Sequence, residues 1–168
     1  LKKAEMRFNI PAAIIVSIIG IETSYGGNTG KYRVIDALST LAFDYPVELK
    51  NYERRKSFFR SELKNFLILA EQQQLDPLIL KGSYAGAMGL GQFMPSSYRA
   101  YAIDFDDDGK ADIWGNVADA IGSVANYLAA HGWRNSELIA APASFSGNER
   151  KDWINSGLKP VRTVGELA

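Results

Sequence analysis

Apolar residues recur along much of the 168-residue chain with the spacing expected of α-helices. Pro11 suits the first turn of a helix that runs on to Glu22, and nearly every residue between them is apolar. A helix that is apolar on all sides belongs in the interior of a protein. We therefore predict a buried core helix that ends at the paired glycines Gly26 and Gly27.

Three longer segments downstream also place apolar residues on one helical face. They are residues 33 to 43, 57 to 74 and 117 to 131. A shorter helix is predicted to begin at Pro95, while the glycine-rich residues 76 to 91 show no helical pattern. Beyond Pro142 the pattern weakens, although Trp153 and Leu158 are candidates for packing on the core. The chain is thus predicted to be mainly α-helical.

Composition and charge narrow the functional classes. A length of 168 residues suits a single domain, residues 1 to 168, with a sizeable core. The 19 basic and 19 acidic residues balance and form no basic stripe, so we predict no nucleic-acid partner. Cysteine is absent, which excludes disulfides, and His131 is the one histidine, which excludes multi-histidine zinc sites. The longest apolar run, from Pro11 to Ile21, is shorter than the roughly 20 residues that span a bilayer.

One acidic stretch has the residue spacing of a calcium-binding EF-hand loop. Its first, third, fifth and ninth positions are Asp104, Asp106, Asp108 and Asp112. Gly109 at the sixth position permits the sharp turn that such a loop needs. The backbone carbonyl of Lys110, at the seventh position, would add a ligand without using its side chain. The spacing therefore predicts a structural Ca²⁺ site.

The match to the EF-hand loop is incomplete at its end. The bidentate Glu expected at the twelfth position is replaced by Gly115. Either Asp112 or Asp119, the nearest later carboxylate, would have to close the site. The alternative interpretation is a solvated acidic turn that binds no ion.

Glu22 is the candidate for acid–base chemistry because of its position. It ends an apolar helical segment, with Ile18 and Ile19 one turn back. Burial among such neighbours and the negative end of the helix dipole would both raise the pKa of its carboxyl group. A carboxyl group that stays protonated near neutral pH can act as a general acid. The alternatives are an exposed Glu at a frayed helix end and a Glu buried against Arg or Lys for structural reasons.

The glycine-rich segment from Lys81 to Pro95 is the second candidate for the site. Its four glycines allow the backbone to approach a ligand closely. Ser83 and Gln92 can hydrogen-bond sugar hydroxyls or acetamido groups. Aromatic side chains on which a sugar ring can stack are those of Tyr84, Phe93 and Tyr98. The alternative is a structural loop that packs tightly on the helix of Glu22.

Three motifs in this order resemble the membrane-bound lytic transglycosylase B family. They are residues 20 to 26 (GIETSYG), 85 to 98 (AGAMGLGQFMPSSY) and 119 to 128 (DAIGSVANYL). The resemblance extends over about residues 8 to 133 and includes the acidic loop. It implies a lysozyme-like, mostly α-helical catalytic core with an EF-hand-like calcium loop. It also implies cleavage of the β-1,4 bond between N-acetylmuramic acid and N-acetylglucosamine in peptidoglycan, with formation of a 1,6-anhydro-muramyl end.

The resemblance also assigns roles to individual residues. Glu22 is implied as the catalytic acid and base. The implied or candidate substrate-binding residues are Ser83, Tyr84, Gln92, Phe93 and Tyr127. The implied calcium ligands are Asp104, Asp106, Asp108, the carbonyl of Lys110 and Asp119. Only one well-placed carboxylate is present, which suits a substrate-assisted route in place of the usual pair of carboxylates.

Location and partners follow from the same resemblance. The family suggests a periplasmic enzyme anchored in the outer membrane, acting on glycan strands and working with proteins of cell-wall synthesis or remodelling. We expect a monomer. The family domain usually continues past the point where this chain ends at Ala168, so we expect a late Tyr-containing segment of its groove, and the lipid anchor, to be missing.

Two other functions remain open on the sequence. A lysozyme-like hydrolase would need a second carboxylate, for which Asp36 and Asp44 are candidates. A non-catalytic, calcium-stabilised glycan-binding module would bind peptidoglycan without needing Glu22 for turnover.

Overall fold

The computed structural model describes residues 1 to 135, which form six helices and one short antiparallel ribbon. The helices are α1 (Lys2–Phe8), α2 (Ala12–Thr23), α3 (Val34–Phe43), α4 (Tyr52–Gln72), α5 (Pro95–Tyr101) and α6 (Val117–Ala130). The ribbon consists of β1 (Tyr32–Arg33) and β2 (Lys81–Gly82). The predicted mainly α-helical fold is confirmed. The interpretation of Trp153 and Leu158 concerns residues outside this described range.

The helix bounds agree with the sequence pattern except at α4, which begins at Tyr52 instead of near residue 57. Its first five residues are Tyr-Glu-Arg-Arg-Lys, which carry no apolar periodicity. In this first turn of α4, Lys56 Nζ donates a 2.6 Å hydrogen bond to the Tyr52 hydroxyl, a contact that apolar periodicity does not reveal. Helix α1 and the ribbon were not predicted. Helix α1 has no start signal such as the proline that begins the equally short α5, and two-residue strands carry too little pattern to recognise.

Helix α2 is only partly buried, so the prediction of a buried core helix is correct for one part of its surface and wrong for the rest. Ile15 and Ile19 are buried, whereas Ile21 is 84% exposed. Helix α2 contacts α1 and α6, and Ile21 lies on the part of its surface that these contacts leave exposed. No single described helix is long and apolar enough to cross a membrane; α1 and α2 meet that test only as a pair bent by 110°.

One part of the core lies between α3, α4 and the glycine-rich segment, and the rest of the same cluster comes from the other helices and the acidic loop. Leu38 of α3 and Phe66 of α4 are fully buried, and Phe59 is 2% exposed. Met88 from the glycine-rich segment joins the same cluster. Each such side chain stabilises the fold by roughly 1.5–3 kcal/mol relative to an exposed one.

The glycine-rich segment is irregular, as predicted, yet it is fixed by backbone hydrogen bonds. Met88 and Phe93 exchange two N–H···O bonds of 2.9 Å, which close a tight loop between them. The Leu90 N–H donates to the carbonyl of Ile113 at 2.9 Å, which ties the segment to the end of the acidic loop. The segment therefore presents its side chains from a rigid backbone.

The backbone at Gly30 lies very close to that of Gly82 in the ribbon. It has φ +96°, and a Cβ there would overlap the carbonyl group of Gly82. We expect Gly30→Ala to lower the free energy of unfolding by roughly 3 kcal/mol or more, because the left-handed backbone and the overlap both oppose the side chain. Urea denaturation measures this loss.

Gly132 provides the matched control for that substitution. It has φ +83°, and a Cβ there would meet no atom of the described residues within 4 Å. Gly132→Ala should therefore cost only the left-handed backbone term, about 1–2 kcal/mol. Equal losses in the two variants would show that the approach to Gly82 does not constrain the ribbon.

Candidate active site

Two cavities meet at Glu22 and Gln92, which line both of them. The first, of about 400 Å³, is here called the apolar cavity. Its other lining residues are Ile18, Ile21, Gly91, Phe93, Met94, Ser97, Val124 and Tyr127. The second, of about 410 Å³, is called the polar cavity. Its other lining residues are Asn28, Gly30, Lys31, Tyr32, Ser83 and Tyr84.

Glu22 lies in the last turn of α2, where its side chain is exposed between the two cavities. The predicted burial is therefore wrong, because Ile18 and Ile21 line an open cavity with Glu22 and do not enclose it. Its carboxylate has no hydrogen-bond or ion-pair partner among residues 1 to 135. This excludes pairing with a described Arg or Lys and leaves both oxygens available to a ligand.

Thr23 anchors the helix end that carries Glu22. Its side chain is buried, and its hydroxyl lies 2.9 Å from the carbonyl of Leu90 and 3.0 Å from that of Ile19. The same oxygen accepts a 3.0 Å hydrogen bond from the N–H of Gly26. The end of α2 is therefore fixed to the glycine-rich segment, which excludes the frayed helix end considered for Glu22.

Ser83 and Gln92 are brought to the site as predicted, with part of their hydrogen-bonding capacity already used. The Ser83 Oγ accepts from the N–H groups of Ala85 and Ala87, at 3.3 and 3.0 Å, so its own proton remains as a donor. The Gln92 Nε2 donates to the carbonyls of Thr29 and Gly89, at 3.2 and 3.0 Å. Its Oε1 remains as an acceptor next to Glu22.

The aromatic candidates differ in exposure and in the cavity that they line. Tyr84 is 75% exposed at the polar cavity, which leaves its ring open for contact. Phe93 is largely buried and meets the half-buried Tyr127 edge to face, with ring centroids 5.8 Å apart, at the wall of the apolar cavity. Tyr127 in turn stacks on His131 at 4.0 Å.

Tyr98 is not a platform for a sugar ring, so that part of the prediction is wrong. It is buried against Trp114, and its hydroxyl donates a 2.7 Å hydrogen bond to the carbonyl of Ala111. Burial, followed by the nearby charges of Asp112 and Asp119, raises the pKa of Tyr98 to about 12. These contacts make Tyr98, in the middle of α5, a structural residue.

Neither alternative carboxylate reaches the cavities. Asp36 accepts a 2.6 Å hydrogen bond from Arg33 in an exposed ion pair, and neither it nor Asp44 lines either cavity. Glu22 is thus the carboxylate that the described residues place there.

Glu62 is a buried carboxylate that the sequence reasoning missed. It lies on the buried face of α4, and its two oxygens accept from the N–H and the hydroxyl of Ser96, at 2.9 and 2.7 Å. It thereby fixes the start of α5 between Met94 and Ser97, which line the apolar cavity. The available signal was a Glu spaced with Phe59 and Phe66 on an apolar helical face.

The acidic loop gathers four carboxylates. Those of Asp104, Asp106, Asp108 and Asp119 each place an oxygen within 4.8 Å of the others. Asp119 is fully buried at the start of α6, and its oxygens accept from the N–H groups of Phe105 and Asp112 at 2.7 and 2.8 Å. None of the four forms an ion pair with a described basic residue. Such a cluster suits a hard divalent cation with oxygen ligands.

Asp112 is directed elsewhere. Its Oδ1 accepts from the N–H groups of Trp114 and Gly115 at 2.8 and 2.9 Å, and it does not join the cluster. Between the two candidates for closing the loop, the described geometry brings in Asp119. A role for the Lys110 carbonyl stays a prediction; its N–H donates to Asp108 at 3.0 Å.

The Thr23 hydroxyl has a measurable role in holding the site together. Thr23→Val keeps the shape but leaves the Leu90 carbonyl and the Gly26 N–H without this partner, so we expect the free energy of unfolding to fall by about 1–3 kcal/mol. Thr23→Ser retains the hydroxyl and should recover most of that loss. Urea denaturation compares the variants, and a loss in Thr23→Ser with none in Thr23→Val would assign the effect to packing alone.

Comparison with known proteins gives consistent results. Residues 1 to 168 match the family model described as Transglycosylase SLT domain. The membrane-bound lytic murein transglycosylase B of Escherichia coli (strain K12) is 48% identical over 100% of this chain and 43% of that protein. Soluble lytic transglycosylase SltB1 from Pseudomonas aeruginosa matches with a TM-score of 0.88 and 54% identity over 99% of this chain and 54% of that one. E. coli lytic transglycosylase Slt35, in complex with calcium, has a TM-score of 0.74 and 52% identity over 82% of this chain and 42% of that one.

These matches confirm the family and the lysozyme-like helical core implied by the three motifs. The chain spans about half the length, or less, of the relatives it matches. Since the family model covers the chain from end to end, the chain belongs to the transglycosylase SLT domain family.

Proposed function

We propose that this chain is the catalytic core of a lytic murein transglycosylase. It cleaves the β-1,4 bond between N-acetylmuramic acid and N-acetylglucosamine and leaves a 1,6-anhydro-muramyl end. The observation that carries this proposal is the position of Glu22, which is shared by two cavities with no second carboxylate beside it among the described residues. Family membership and the names of the relatives support the substrate class.

In this mechanism Glu22 acts first as an acid and then as a base. It gives its proton to the glycosidic oxygen, and the N-acetylglucosamine leaves with that proton on its O4. The 2-acetamido oxygen of the muramyl sugar bonds to C1 and stabilises the positive charge. The Glu22 carboxylate then removes the proton of the C6 hydroxyl, O6 bonds to C1, and the acetamido group is released. Glu22 ends protonated, and no water is consumed.

The exposure of Glu22 in the free protein makes the acid role depend on the glycan. A strand that fills both cavities excludes water from the carboxyl group between them. Burial disfavours the charged form of a carboxylate. Substrate binding would thus supply the desolvation that the described residues do not provide.

The remaining predicted residues act as substrate contacts in this proposal. The hydroxyl of Ser83 donates to the sugar, and the Oε1 of Gln92 accepts from it. Tyr84 offers an exposed ring at the polar cavity, while Phe93 and Tyr127 form the wall of the apolar one. Peptidoglycan strands are the partner; a monomer in the periplasm, tethered to the outer membrane and working with cell-wall proteins, completes the proposal.

Calcium is proposed as a structural ion at the acidic loop. The fit rests on Asp119, which is buried beside three other carboxylates and has no described basic partner. Asp104, Asp106, Asp108 and Asp119 would hold the ion, and Lys110 would add its carbonyl. The bound ion would join the loop to the start of α6 as an EF-hand-like site, and Slt35, solved with calcium, supports the choice of metal.

Glu22→Gln should abolish most turnover. We expect kcat to fall by about 10²–10⁴-fold, because a general acid and base is lost, while glycan binding remains. Products from purified peptidoglycan are measured by mass spectrometry, in which anhydro-muropeptides are lighter by one water than hydrolysed ones. Asp36→Asn and Asp44→Asn are the matched carboxylate controls and should remain active.

Each other outcome identifies a different function. Reducing-end products together with an inactive Asp36→Asn or Asp44→Asn variant would establish a hydrolase. Binding to peptidoglycan without any cleavage, unchanged in Glu22→Gln, would establish a glycan-binding module. Normal release of anhydro-muropeptides by Glu22→Gln would remove Glu22 from the mechanism.

Chelation with EGTA should lower the melting temperature. For Ca²⁺ at about 100 times its Kd, the lost stabilisation corresponds to a shift of roughly 5–10 °C. Asp119→Asn and the milder Asp106→Asn should lose this response to Ca²⁺. Asp107→Asn is the control, since Asp107 lies in the same loop outside the four-carboxylate cluster. A melting temperature that ignores EGTA in the unmodified protein would refute the site.

A further inference from the structure

The ribbon places a cation at the edge of the polar cavity. Lys31 directly precedes β1, and Tyr32 pairs with Gly82 next to Ser83 and Tyr84. The left-handed Gly30 allows the backbone to turn closely against Gly82 at this point. Lys31 is therefore held beside the hydroxyl-bearing residues that line the cavity.

The ammonium group of Lys31 has no acidic partner among residues 1 to 135. The acid nearest along the chain, Asp36, is taken by Arg33 at 2.6 Å. Lys31 Nζ instead lies 5.7 Å from the centroid of the Tyr32 ring, a cation–π distance that orients the side chain without neutralising it. Its positive charge is thus available at the cavity.

The two cavities on either side of Glu22 differ in chemistry. The apolar cavity is walled by residues such as Ile18, Ile21 and Val124. Besides the Glu22 carboxylate and the Gln92 Oε1, which line both cavities, the polar cavity presents three donors: the ammonium of Lys31, the hydroxyl proton of Ser83 and the hydroxyl of Tyr84. A lysine that forms no ion pair with a described residue, together with two hydroxyl donors, favours a ligand group that is rich in acceptors and negatively charged.

We propose that the polar cavity binds a carboxylate of the substrate and that Lys31 is its cationic ligand. The carboxylate would belong to a peptide stem on the muramyl sugars, an identification that rests on the proposed function. Lys31 thereby sets a preference for glycan strands whose stems carry free carboxylates over strands whose carboxylates are amidated. The inference that the cavity binds an anion rests on the geometry and does not require the proposed function.

The test compares two muramyl-peptide tetrasaccharides that differ only in free or amidated stem carboxylates. Binding is measured by calorimetry in the Glu22→Gln background, so that no strand is cleaved during titration. We expect the free-carboxylate form to bind about threefold more tightly, the size of a partly exposed ion pair. This preference should vanish near 1 M salt, where the Debye length falls to about 3 Å.

Substitutions assign the preference to one side chain. Lys31→Met should remove the difference between the two ligands, and Lys31→Arg should retain it because the charge is kept. Lys2→Met, which removes an exposed lysine on α1 remote in sequence from the ribbon, is the matched control and should behave as the parent does. Lys31→Met that still prefers free carboxylates, or a parent protein without any preference, would overturn the proposal.

Failure of the proposed function is read separately. A protein that prefers the free-carboxylate ligand through Lys31 but releases no anhydro product from either ligand, with Glu22 intact, would retain this inference and lose the catalytic one. Release of anhydro products from both ligands with equal Kd and equal KM would retain the catalytic proposal and overturn the role of Lys31.

Discussion

The hydrogen bonds of the buried Thr23 hydroxyl are the contact on which the rest of the site depends. They join the last turn of α2 to the carbonyl of Leu90, which lies two residues before Gln92. This link acts at the helix end itself, whereas the hydrogen bond from Gln92 to the carbonyl of Thr29 joins the glycine-rich segment to the loop that follows. The partners of Thr23 are backbone groups, so the distance between acid and loop is set by main-chain geometry. Such geometry varies little when surface side chains change.

The acidic loop is joined to the same glycine-rich segment. Leu90, whose carbonyl contacts Thr23, donates its N–H to the carbonyl of Ile113 at the end of that loop. Asp119 closes the four-carboxylate cluster from the first turn of α6, and the same helix carries Val124 and Tyr127 into the apolar cavity. Four carboxylates with no described cation repel one another. An ion that gathers them would therefore stiffen the cavity as well as the loop.

Much of this arrangement was readable from the sequence, and the failures have a common cause. The helix pattern located α2, α3 and α6, and the motif spacing brought Ser83 and Gln92 to Glu22. The apolar sequence of α2 predicted burial, but periodicity cannot show which face of an apolar helix packs against other elements. Ile21 is largely exposed in the described structure. The prediction for Tyr98 was wrong because the sequence does not distinguish an aromatic ring that packs in the core from one that contacts a ligand. The role of Lys31 could not be predicted from the sequence, because it depends on the position of the ribbon and on the ion pair between Arg33 and Asp36.

A single carboxylate between two unlike cavities also bears on how such a site could cleave a glycosidic bond. Glycosidases that use a pair of carboxylates hold them about 5–9.5 Å apart across the bond, to attack it or to activate water. The described residues place Glu22 alone there, with apolar side chains on one side and donors on the other. No second described carboxylate lines either cavity to act as a nucleophile beside Glu22. Under the proposed function, the two unlike cavities would orient a polymer whose own acetamido and C6 hydroxyl groups take the place of the second carboxylate. The proposed mechanism therefore assigns the nucleophile to the substrate and assigns to the protein one proton carrier and the orientation of the strand.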